Sequence, residues 1–168
     1  KYKFINIVIC SNDSIFAAGN YDNSIYIFDK YSGKRKLLIK AFKLPPLAVQ
    51  FHPINSDVIV FSARRAIIVW NIKENKLIRK IESSVFPVSA ANVNYNGKLI
   101  AIAGIDNSIK VYDLNNNIKI NYFKGHQANV TSMSFVSSFD TIATVGLDNK
   151  MHYWLLNDTT QKKAIKVI

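Results

Sequence analysis

The sequence predicts an all-β chain in which one unit of four short antiparallel strands occurs four times. Three observations predict it. Bulky residues recur at a constant spacing of 42: Phe28, Trp70, Tyr112 and Trp154. Within each unit the apolar pattern has a period of two rather than 3.6 and is rich in β-branched residues, as strands require. Asn, Asp and Gly punctuate it at short intervals, where tight turns need them.

The register holds away from the aromatic positions. Ile9, Phe51, Val93 and Phe135 keep the 42-residue interval, as do Ile7, Val49, Ala91 and Met133. Between them stand Val8, Gln50, Asn92 and Ser134, polar in three of four copies. The third strands read DNSIYIFD from Asp22, RRAIIVWN from Arg64, DNSIKVYD from Asp106 and DNKMHYWL from Asp148. In Ser108–Asp113, Ile109 and Val111 alternate with Ser108 and Lys110. Turns fall at Asn12-Asp13, Tyr21-Asp22-Asn23, Ser32-Gly33, Asn55-Ser56-Asp57, Asn96-Gly97 and Asn115–Asn117. The third unit then has strands near Val88–Asn94, Lys98–Ala103, Ser108–Asp113 and Ile118–Phe123, and no helical stripe competes. The four units occupy residues 3–42, 45–84, 87–126 and 129–168 of one domain.

Composition sets outer bounds. A chain of 168 residues that is 49% hydrophobic can bury a core and is not wholly disordered. The single Cys10 excludes a disulfide framework. No apolar run reaches the roughly 18 residues of a membrane-spanning helix, and no leader pattern precedes the first unit. The chain is therefore read as soluble and intracellular, with no membrane partner and with nucleus and cytoplasm not separated. The net charge of +11 favours a polyanionic partner only if it is clustered. Lys supplies 18 of the 22 basic residues and is spread along the whole chain, which points to a solvated surface.

A four-stranded sheet of this size has two apolar faces and cannot bury both alone. Stacking the sheets radially buries each face on the next, which is a β-propeller with one unit per blade. The residues also resemble the WD-repeat family. Asp22 with Phe28-Asp29, Asp106 with Tyr112-Asp113, Gly125-His126 and Phe51-His52-Pro53 are similar to its signature of Gly-His, a turn Asp and a closing Trp-Asp. The resemblance covers nearly the whole chain. It implies a ring of more than four blades, so the chain is expected to be part of a larger ring. The missing blades would come from the same or another polypeptide.

The resemblance further implies a polar lock of His, Ser or Thr, Asp and Trp within a blade. Only the fourth unit offers all four, as His126, Thr144, Asp148 and Trp154. At the Thr position the other units are assigned Ala18, Val60 and Ile102, and the second replaces the turn Asp by Arg64.

No catalytic, cofactor or metal set emerges from the spacing. His52 sits in a turn, His126 is assigned to the lock, His152 lies mid-strand, and none pairs with Cys10. Asn96-Gly97-Lys98 is a hairpin turn without the glycine-rich frame of a phosphate loop. The chain is therefore read as non-catalytic, with surface as its working part. The family resemblance implies that turns between second and third strands and loops between blades face partners. This places Tyr21, Arg64, Arg65, Ile105 and Leu147 there, with Phe86 on an inter-blade loop, and aromatic and Arg side chains are the strongest anchors. The expected function is a scaffold that docks proteins or peptides in a larger assembly, such as a nuclear ribonucleoprotein complex. Two alternatives are direct nucleic-acid binding through a basic face and recognition of acidic substrates for a ubiquitin ligase, with Arg64 and Arg65 gripping the peptide.

Overall fold

The computed structural model describes residues 3–10, 12, 14–40, 44–63, 65–82, 87–116, 118–136, 141–156 and 166–167. Among these every regular element is a β-strand, and no helix is long and apolar enough to cross a membrane. The strands form four sheets in two compact units, Lys1–Ser84 and Val85–Ile168.

In the first unit, β1 (Phe4–Ile9), β2 (Ile15–Asn20), β3 (Ser24–Asp29) and β4 (Arg35–Lys40) pair in chain order. So do β5 (Val49–Phe51), β6 (Val58–Ala63), β7 (Ala66–Asn71) and β8 (Lys76–Glu82). Every neighbouring pair is antiparallel, so hairpins suffice as connections. Ile25, Ile27, Ile59, Phe61 and Ile68 fill one shared core with Cys10 and Ala17. Each such buried Ile contributes about 1.5–3 kcal/mol relative to exposure. Asn6 of β1 joins the two sheets by donating to the carbonyls of Pro46 (3.3 Å) and Leu47 (3.0 Å).

The second unit repeats the plan with β9 (Val88–Val93), β10 (Leu99–Gly104), β11 (Ser108–Asp113) and β12 (Lys119–Lys124). Its other sheet is β13 (Val130–Phe135), β14 (Thr141–Gly146), β15 (Met151–Leu155) and β16 (Lys166–Val167). Ala101, Ile109, Val111, Phe123, Ile142 and Trp154 pack in its core. The rings of Phe123 and Trp154 meet at 5.4 Å, which ties the third blade to the fourth.

The 42-residue interval survives in the pairing. Register shifts between third and fourth strands fall at Ile27/Phe28, Val69/Trp70 and Val111/Tyr112, the same place in three blades. A bulge there twists the outer strand away from its neighbour. The second blade corrects one expectation. Its β6–β7 hairpin closes from Ala63 to Ala66, whereas β2–β3 runs from Asn20 to Ser24. The turn is one residue shorter, so β6 sits one residue later against β7. The residue opposite Ile68 is therefore Phe61, and not Val60, at the place Ala18, Ile102 and Thr144 occupy.

Positive charge follows the fourth strands. Arg35, Lys36 and Lys40 on β4, Lys76 and Lys80 on β8, and Lys119 and Lys124 on β12 are exposed. Each is a sheet edge, where lysine disfavours pairing with another chain.

Candidate functional site

The fourth blade gathers the polar residues. His126 stands on the loop after β12, Thr144 is on β14, Asp148 is in the β14–β15 turn, and His152 and Trp154 are on β15. Antiparallel register sets Thr144 directly across from His152 and Ile142 across from Trp154. The structure brings His126, Thr144, Asp148 and Trp154 into one hydrogen-bonded chain. Trp154 donates its indole N–H to Thr144 Oγ1 at 2.8 Å. Thr144 Oγ1 lies 2.8 Å from His126 Nε2, and His126 Nδ1 lies 3.0 and 2.9 Å from the two Asp148 oxygens. The Gln127 N–H (3.0 Å) and the Lys150 N–H (3.2 Å) also donate to Asp148.

Burial disfavours the Asp148 charge, but these donors, led by the Gln127 N–H and the His126 imidazole, outweigh it. They lower the pKa to about 2, so the carboxylate is ionised at neutral pH. Two glycines make room. A Cβ on Gly146 would lie 2.9 Å from His126 Nδ1, and one on Gly125 would lie 2.8 Å from the Trp154 ring.

The same turn is built three times with different partners. The carboxylates of Asp22, Asp106 and Asp148 each accept the N–H two residues on, from Ser24, Ser108 and Lys150. The intervening Asn23, Asn107 and Asn149 have φ of 65°, 58° and 58°, a left-handed backbone that Asn accepts better than most residues. Four residues after each Asp stands Tyr26, Lys110 or His152. Tyr26 Oη donates to Asp22 at 2.5 Å and Lys110 Nζ to Asp106 at 2.9 Å. Spacing alone does not mark His152, because its neighbour His126 arrives from a different loop. The signal that finds it is this fixed offset of four from the turn Asp.

These turns carry the surface residues that sequence singles out. Tyr21 is 62% exposed, Ile105 52% and Leu147 65%, each immediately before its turn Asp. Ile105 and Leu147 hold the same position in two blades of one unit. Arg65 is exposed on the β6–β7 turn, while Arg64 and Phe86 lie outside the described residues. Cys10 is buried within the first unit's core.

Comparison with known proteins agrees with this architecture. The model of the WD domain, G-beta repeat, matches residues 75–113 and 117–154. Each match starts at or before the fourth strand of one blade and ends on the third strand of the next, so His126 and Trp154 fall in one repeat. The WD repeat-containing protein 91 homolog of Dictyostelium discoideum is 25% identical over 85 residues, covering 51% of this chain and 11% of that protein. The WD repeat-containing protein srw1 of Schizosaccharomyces pombe is 20% identical over 158 residues, covering 92% of this chain and 28% of that protein. The transcriptional corepressor LEUNIG_HOMOLOG of Arabidopsis thaliana is 25% identical over 143 residues, covering 82% and 17%. The chain thus spans between about a tenth and under a third of the length of these relatives. Four like-built sheets at one interval, two repeats that fit the family model and relatives that carry the same repeat support a WD-repeat β-propeller.

Proposed function

We propose that this chain is a non-catalytic docking segment that presents its second-to-third-strand turns to partner proteins within a larger assembly. WD-repeat propellers are in general interaction modules rather than enzymes. The observation that carries the reading is the repeated exposure of a large apolar side chain, Tyr21, Ile105 or Leu147, on a turn fixed by its own Asp. Apolar side chains held rigidly in water gain energy when a partner covers them, and little ordering entropy opposes it. The basic residues on the fourth strands support an edge-guarding role more than a nucleic-acid groove, since they lie on several blades.

The test is affinity capture with mass spectrometry, comparing the unaltered protein with an Ile105→Glu, Leu147→Glu double variant. We expect a defined set of proteins to be lost while the melting temperature stays unchanged. Identical partner sets would refute docking through these turns. Capture of RNA that weakens steeply with salt would favour the nucleic-acid alternative.

A further inference from the structure

One buried group is not accounted for by the hydrogen bonds of the fourth blade. The His152 side chain is only 5% exposed, yet neither ring nitrogen has a hydrogen-bond partner among the described residues. A buried imidazole with both nitrogens unserved is uncommon and needs a cause. The other blades sharpen the point, because Tyr26 and Lys110 reach their turn Asp from the same register position. His152 Nε2 stops 4.0 Å from Asp148 Oδ2, too far for a hydrogen bond. Two ligands held at about 2.0–2.2 Å by one ion stand about 3–4 Å apart.

We propose that His126 Nδ1, Asp148 and His152 Nε2 form a three-ligand site for a divalent transition metal of the zinc class. The ligand atoms of these three residues all lie within 4.8 Å of one another. Two imidazoles and a carboxylate suit zinc-like ions, and three protein ligands leave a fourth position for water or a partner's side chain. A neutral imidazole and an ionised carboxylate are the forms in which these side chains ligate such an ion.

Thr144 supplies the supporting contact. Its hydroxyl accepts the Trp154 N–H and can also accept an Nε2–H from His126, so on metal binding His126 Nδ1 releases the proton it donates to Asp148 and ligates the ion instead. Gly146 lets these groups pack closely beside the backbone, since a Cβ there would lie 2.9 Å from Nδ1 and 3.1 Å from Asp148 Oδ1. The site is independent of the docking role, because none of its residues is a docking residue.

The test uses the 168-residue chain, freed of metal by a chelator and titrated with Zn²⁺ and then Co²⁺. At a hundredfold excess over Kd, the melting temperature should rise by about 5–10 °C. Co²⁺ should give the intense visible absorption of a low-coordinate site. His152→Lys installs the residue that the third blade carries at this register, so it should fold and lose both responses. Imidazole NMR on the unaltered chain gives a readout that needs no variant: Zn²⁺ should shift the signals of His126 and His152 and leave His52 in place. No thermal shift and no spectrum, an unchanged response in His152→Lys, or movement of His52 alone would each overturn the site.

Discussion

Asn92 of the third blade accepts the backbone N–H of Phe135 in the fourth at 2.9 Å, so a side chain of one sheet serves the edge of the next. At the other end of the same strand, Ser89 donates to the carbonyl of Val130 at 2.6 Å. Strand β13 is an edge strand, and its outward polar groups would otherwise need water or another chain. Short polar residues thus fix how the blades of this unit meet, Asn121 of β12 also donating to the Leu156 carbonyl at 2.7 Å, while apolar packing supplies most of the energy.

Asn92→Leu should therefore cost about 1–3 kcal/mol, because it strands a half-buried N–H. Amide hydrogen exchange at Phe135 should accelerate, and the urea midpoint should fall. An unchanged exchange rate would show that the contact contributes nothing.

His126→Ala removes the group that links Asp148 to Thr144. We expect a loss of about 1–3 kcal/mol in a thermal or denaturant melt run with chelator present, so that metal plays no part. A coincident melting curve would mean that the polar chain adds no stability.

The third blade predicts an acid response. Burial works against the Asp106 carboxylate, but Lys110 and the Ser108 donors hold its pKa below the ordinary 3.8. A depressed carboxylate contributes stability that is complete above the unfolded value and drains away as pH falls through the folded one. The urea midpoint should thus decline below about pH 4. Asp106→Asn should flatten part of that decline, and an identical slope would remove Asp106 as a cause.

Two glycines separate crowding from backbone strain. At Gly146 an added Cβ meets His126 Nδ1 at 2.9 Å and the Asn129 carbonyl at 3.0 Å, so Gly146→Ala should cost about 1–3 kcal/mol by overpacking. Gly33 has φ of +66° and open space around it, so Gly33→Ala should cost about 1 kcal/mol through its backbone alone. Thermal melts of the two variants should rank in that order.

What the sequence makes legible follows from how each feature is encoded. A period of two and an interval of 42 are properties of neighbours along the chain, so the sheets can be read directly, whereas the four lock residues are legible only through the family resemblance. The slip in the second blade cannot, because Trp70 keeps its interval while the turn before it loses a residue and β6 moves to compensate. His152 escapes for a different reason. Its neighbours His126 and Asp148 come from a loop and a turn, and only the folded sheet brings the two imidazoles together, tilted and with centroids 4.1 Å apart. The clustering of lysine on edge strands is likewise invisible until the order of strands is known.

The left-handed asparagines in the three Asp turns have a bearing on how this chain can diverge. Glycine is at ease in that backbone, asparagine nearly so, and a β-branched replacement costs about 1–2 kcal/mol. Neutral drift at positions 23, 107 and 149 is thus confined to a very small alphabet, however freely the exposed residue two places earlier changes its chemistry. On the proposed docking role, new partners would come from rewriting the residue beside the hinge of each hairpin while the hinge itself stays nearly constant.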